Sequence, residues 1–174
     1  MLHPHYNPST SSAANNPAAR QTWMALLARA PEAFLEERVG AWAQGKLQWL
    51  RPVETGLLMA QGRAGGTGLR FNLGEVTVTR CTLRPDPELT QCHQVGVAYI
   101  LGGSHRHAQL AAVADALLQE PALHPHWDQH LLRPISQQLC AQAQQRKALA
   151  QATRVEFFTV AREAGSDLQE EDPS

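Results

Sequence analysis

The sequence predicts an α+β fold: an N-terminal helix pair, an antiparallel sheet of about four to five strands, two C-terminal helices and a hydrophobic C-terminal strand or arm. Three observations lead there. Apolar residues recur at helical spacing near the start of the chain. The period then changes to strict alternation through the middle, with short Gly- or Pro-containing connections that imply hairpins and not βαβ crossovers. Helical spacing returns after Ser104.

Arg20–Ala30 reads as a short helix carrying Trp23, Leu26 and Leu27, broken by Pro31. Glu32–Gln44 reads as a second, with Phe34, Leu35, Val39 and Trp42, stopped by Gly45. Lys46–Leu50, Thr55–Gln61, Leu69–Leu73, Glu75–Leu83 and Val95–Leu101 read as strands; Val76 and Val78 alternate with Thr77, Thr79 and Cys81. Ser104 stands at the N-cap position of the clearest helix, whose apolar stripe includes Leu110, Val113, Ala114, Leu117 and Leu118 and ends at Pro121 and Pro125. A further helix spans about Ile135 to Ala150, and the β-branched, aromatic TRVEFFTVAR closes the ordered chain as a strand or docking arm. Residues 1–18 form an expected disordered tail, 19–164 a single domain, and 165–174 an acidic disordered tail.

The 174 residues suit one core, and 15 basic against 16 acidic residues advertise neither nucleic acid nor an anionic membrane surface. Charged residues are only 18% of the chain, against roughly 25% in an average domain, which points to a subunit with covered surface. No segment approaches the ~20 apolar residues of a membrane span, and the first residues lack the apolar core of a signal peptide. Three widely spaced cysteines, Cys81, Cys92 and Cys140, fit a reducing cytoplasm.

The run Glu54–Arg84 is the richest in chemistry. Its turn, Arg63-Ala-Gly-Gly-Thr-Gly-Leu-Arg70, matches neither a P-loop nor a dinucleotide fingerprint, and a strand follows where those motifs need a helix. Gly65, Gly66 and Gly68 supply the positive φ of a hairpin turn, or together with Arg63 and Arg70 they face a phosphate or triphosphate; the two readings are compatible. Arg80 lies on an otherwise apolar strand face with Val76 and Val78, so it pairs with Glu54 or Glu75, or meets a ligand or partner. His126 and His130 are four apart near His124 and Asp128, but prolines interrupt them and no third ligand is placed, so no metal site is assigned. His105 and His107, two apart, point to different faces. No nucleophile elbow or activated cysteine is present, and Glu32, Glu36 and Glu37 exclude a DNA-reading helix pair.

Five blocks in order carry a resemblance: RQTWMALLARA (Arg20–Ala30), ETGLLMAQGRAGGTGLRFNLGEVTVTR (Glu54–Arg80), HAQLAAVADALLQ (His107–Gln119), LLRPI (Leu131–Ile135) and TRVEFFTVAR (Thr153–Arg162). The chain resembles the PhnG family, small subunits of the bacterial carbon–phosphorus lyase core complex. It departs where similar proteins carry Gly-Arg-Asp: here Gly102 precedes Gly103-Ser104-His105-Arg106-His107, with Arg106 as the shifted cation. The resemblance implies a cytoplasmic subunit of alpha-D-ribose 1-methylphosphonate 5-triphosphate synthase. With PhnI-, PhnH- and PhnL-like subunits it would transfer a phosphonate to C1′ of the ATP ribose and release adenine; a PhnJ-like subunit would act later. The substrate is Mg-ATP with a small phosphonate, and this chain alone binds no cofactor. Arg63, Gly65, Gly66, Gly68, Arg70 and Arg80 are the expected triphosphate-binding residues, and Glu54, His107, Val155, Phe157 and Phe158 the expected partner contacts; no catalytic residue is assigned. The alternative is a purely architectural subunit that stabilises a PhnI-like partner through the turn and the VEFFTV tail. On that alternative, deletion of residues 153–164 abolishes assembly, which size-exclusion of the co-expressed subunits reads directly.

Overall fold

The computed structural model describes residues 16–90 and 92–153. The chain opens with α1 (Pro17–Leu27) and α2 (Glu32–Val39), then builds a long hairpin from β1 (Gln48–Arg63) and β2 (Arg70–Arg84). A short α3 (Pro87–Thr90) leads to β3 (Gly96–Leu101). The central helix α4 (His105–Gln119) follows, then a single turn α5 (His124–Trp127), a π-helical turn over Asp128–Leu132, and α6 (Arg133–Ala152). The expected C-terminal strand, with Val155, Phe157 and Phe158, lies outside the described residues.

Capping sets the helix ends. The Asn16 side chain accepts from the Ala18 N–H at 2.9 Å and Pro17 supplies a preset φ, so α1 starts three residues earlier than its apolar spacing indicates. α2 ends at Val39 and not at Gln44, and residues Gly40–Gln44 continue as tight turns closed onto Val39, Gly40 and Ala41. Ser104 caps α4 by accepting from the His107 N–H at 3.1 Å.

The sheet has three antiparallel strands in the order β1-β2-β3, fewer than the four to five expected. The difference is one of breaks absorbed. Pro52 falls within a bulge where the register moves from Arg51↔Thr82 to Glu54↔Arg80, so two predicted strands are one β1. Gly74, at φ 145°, sits beside a further register shift between Ala60 and Gln61, and there the two predicted segments of β2 join. A bulge bends a ladder without ending it.

Among the described residues, helices cover one face of this sheet only. α4 lies across β2 and β3, with α1, α2 and α5 packed around its remaining sides. Every residue from Leu110 to Leu118 is buried, so α4 is enclosed on all sides. Gly96 permits the closeness: a Cβ there would run into the Ala112 carbonyl. Trp23, Leu27, Leu35, Leu131 and Ile135 close the core from the surrounding helices.

One acid sits inside this apolar helix. Asp115 is 0% exposed and accepts from Arg20 Nη2 at 2.8 Å, Trp23 Nε1 at 2.8 Å and the Val97 backbone N–H at 2.9 Å. Gln119 Nε2 completes the set at 3.2 Å. A buried charge is tolerated when every lone pair is used. Asp115→Ala strands the indole and backbone donors, and is expected to cost about 3 kcal/mol in denaturant unfolding; Asp115→Asn retains part of the bonding and costs less.

Candidate functional site

β3 pairs only with Val78–Leu83, so the rest of the hairpin leaves the sheet as a two-stranded arm. Its tip is a 3-10 turn over Ala64–Gly66 in which Gly65 and Gly66 take φ 58° and 81°. Those values demand glycine, as the turn reading expects, whereas Gly68 takes no positive φ and its lack of a side chain instead permits a close approach to the Ala64 carbonyl. The Gly68 N–H then closes onto the Ala64 carbonyl at 2.9 Å.

At the mouth of this turn Arg63 and Arg70 are direct cross-strand partners, both exposed. Like charges in opposed positions destabilise a hairpin. Among the described residues no carboxylate pairs with either. Behind them Gln61 donates to Asn72 at 3.1 Å across the strands, and the four residues Gln61, Gly62, Arg63 and Arg70 line a hollow of about 320 Å³. Two guanidinium groups opposed across a braced backbone suit a polyanion, which would also relieve their repulsion.

Arg80 does not join them. It pairs with Glu54 at 2.8 Å at the root of the arm, both half exposed, and Arg51 approaches the same carboxylate at 3.6 Å. Nine steps along β1 separate the Glu54–Arg80 pair from the Arg63–Arg70 pair, about 30 Å of strand at ~3.3 Å per residue. His107 is turned inward, its Nε2 3.0 Å from the Leu27 carbonyl, where it ties α4 to α1. Arg106 is bidentate on Glu36 at 2.7 and 2.6 Å, and that hydrogen bond holds the Glu36 carboxyl below its ordinary range. The shifted cation of the GGSHRH loop is therefore engaged with α2.

The root also holds a relay invisible to spacing. Thr79 donates to the Gly102 carbonyl at 2.7 Å, so Thr55 must donate to Thr79 at 2.9 Å, and His105 Nε2 must donate to Thr55 at 3.0 Å. The protons run toward a backbone carbonyl, and His105 does not act as a base on Thr55. The relay anchors the arm to the start of α4. Asp115 carries a signal in the sequence that spacing rules do not use: a lone acid within an Ala- and Leu-rich helix announces a buried partner.

His126 and His130 stack with centroids 4.4 Å apart, and His130 Nδ1 lies 2.9 Å from the His126 carbonyl. No group of three potential metal ligands forms among the described residues. A larger cavity of about 800 Å³ lies near the far end of β2, but its Lys46 and Arg84 are balanced by Asp86 and Glu88. Among the described residues no helix is long and apolar enough to cross a membrane.

A family model described as "Phosphonate metabolism protein PhnG" matches residues 18–163, a span that includes the whole arm. The chain belongs to the PhnG family. A relative from Rhizobium meliloti (strain 1021), named "Alpha-D-ribose 1-methylphosphonate 5-triphosphate synthase subunit PhnG", is 38% identical over 149 residues. The alignment takes in 83% of this chain and 90% of that relative. The arm, its glycine tip and the buried Asp115 thus all fall inside the PhnG match.

The thiols offer no nucleophile in the core. Burial pushes Cys81 up to about 11 and raises Cys92 as well, whereas Cys140 is exposed on α6. Native protein treated with iodoacetamide at pH 8 is expected to be labelled at Cys140 and spared at Cys81 and Cys92, as peptide mass spectrometry would read. Because the folded Cys81 titrates above its ordinary value, stability from that thiol is present at neutral pH. It declines as pH rises from 9.0 toward about 11, and Cys81→Ala flattens that slope.

Proposed function

We propose that this chain is the PhnG subunit of an alpha-D-ribose 1-methylphosphonate 5-triphosphate synthase, working in the cytoplasm with PhnI-, PhnH- and PhnL-like subunits and alongside a PhnJ-like one. The observation that carries the reading is the 38% identity to a named subunit of that synthase over most of both chains. The assembly transfers a phosphonate to Mg-ATP. A phosphonate oxygen forms a bond to C1′ of the ribose, the C1′–N9 bond breaks, and adenine leaves with the electron pair and takes up a proton. The triphosphate stays on the 5′ carbon throughout.

Such a displacement builds positive charge at C1′, so acceleration comes from holding the two reactants in line. A triphosphate held in place needs several cations. Arg63 and Arg70 at the arm tip, without an acidic partner among the described residues, and Gly65, Gly66 and Gly68 in the turn between them are the residues of this chain that support that role. Arg80 and Glu54 pair with each other at the root of the arm, and His107 bonds to the Leu27 carbonyl of α1.

Adenine release from ATP and methylphosphonate is the assay, run on the co-expressed subunits with and without this chain. Release that requires the chain supports the reading, and equal release without it overturns it. Arg63→Ala and Arg70→Ala are each expected to weaken ATP binding by about tenfold in the assembly, and unchanged affinity in both removes the arginine tip from the site.

A further inference from the structure

We infer that the open face of the sheet and the arm that extends it form the surface on which a different subunit of the assembly seats, through an apolar platform bordered by positive charge. Register places Leu58, Phe71 and Leu73 of the arm on the same side as Tyr99 and Leu101 of β3, the side on which no described residue forms a helix. Gly62 fixes the one ambiguous position: a Cβ built on it would touch the Leu73 side chain, so the bulged Leu73 covers that side. Leu58 is 60% exposed, Leu73 65% and Leu101 74%. Leu57 and Met59 are exposed on the reverse of the arm, beyond the helices. A ribbon apolar on both sides is not stable in water as it stands and marks an interaction site.

The charges choose the occupant. β1 and β2 carry five arginines against two glutamates, in a chain whose net charge is −1. Two copies of this chain laid face to face would bring the tip arginines onto each other, or onto the root, where Arg51, Arg80 and Arg84 outnumber Glu54. Both arrangements oppose like charges. A second copy covering the open face would also leave Leu57 and Met59 bare. A different subunit with an apolar cleft, acidic or anion-loaded where the tip ends, satisfies both the shape and the charge.

This inference rests on the proposed function, and its test separates the two. The full chain is co-expressed with the PhnI-, PhnH- and PhnL-like subunits and passed over size-exclusion, as wild type, as Leu58→Asp/Leu73→Asp, and as Arg63→Ala/Arg70→Ala. The expected result is a stable wild-type complex, at least a hundredfold weaker association of the aspartate variant, and an arginine variant that still assembles. The free aspartate variant should melt as wild type does, since both leucines are exposed; if it does not, Leu58→Ser/Leu73→Ser takes its place with the same expectation. Wild-type assembly that the leucine variants share overturns the docking surface alone. Failure of the wild type to associate overturns the proposed function and this inference with it. A free wild-type dimer that the leucine variants split into monomers overturns the choice of a different subunit as occupant.

Discussion

The Asp115 carboxylate is the point at which three separate parts of the chain are tied together. Arg20 and Trp23 reach it from α1, Val97 offers its backbone N–H from β3, and Gln119 adds a donor from the next turn of α4. Arg20 and Gln119 also contact the Val95 carbonyl, so the approach to β3 is held from both sides. In an Ala- and Leu-rich interior the charge has no water to turn to, and α1, α4 and β3 keep their places because a shift in any one would orphan it. The same bond engages the Val97 N–H, which faces away from β2, and so blunts β3 as an edge for further strands.

With that edge blunted and the helices gathered on one side, the sheet is left one-faced. α4 is enclosed by neighbours and uses the inner face of β2 and β3, where Cys81, Leu83, Ala98 and Ile100 are buried. The outer face and the unpaired half of the hairpin have no cover from any described element. Bulges near Pro52 and Gly74 let the strands run on through residues that would otherwise end them, and the arm is their product. Its root is fixed by the Thr55–Thr79–His105 relay and the Glu54–Arg80 pair, its tip by glycines with positive φ. A rigid root and a braced tip are what a projecting element needs to present side chains in one geometry.

The arm also separates two kinds of cation that look alike in the sequence. Arg80 and Arg106 are satisfied by Glu54 and Glu36 and serve as struts. Arg63 and Arg70 face each other across the turn, and their repulsion costs the hairpin stability that a bound anion would return. Charge left uncompensated at an exposed, well-braced position adds nothing to folding, and the proposed anion contact rests on it.

What the sequence by itself determined was local. The spacing of Leu110, Val113 and Leu117 with Ser104 before them marked α4, and the glycines between Arg63 and Arg70 marked the turn, since helix periods, caps and positive φ depend on residues a few positions apart. The five matching blocks marked the family. Only the tertiary structure decided that four predicted strand segments are two, because a bulge differs from a strand end only by what the opposite strand does. It alone paired Asp115 with Arg20, 95 residues away, parted Arg80 from the tip, and stripped the arm of cover by ending β3 opposite Val78. Burial and pairing are set by neighbours distant in the chain, which no local pattern encodes.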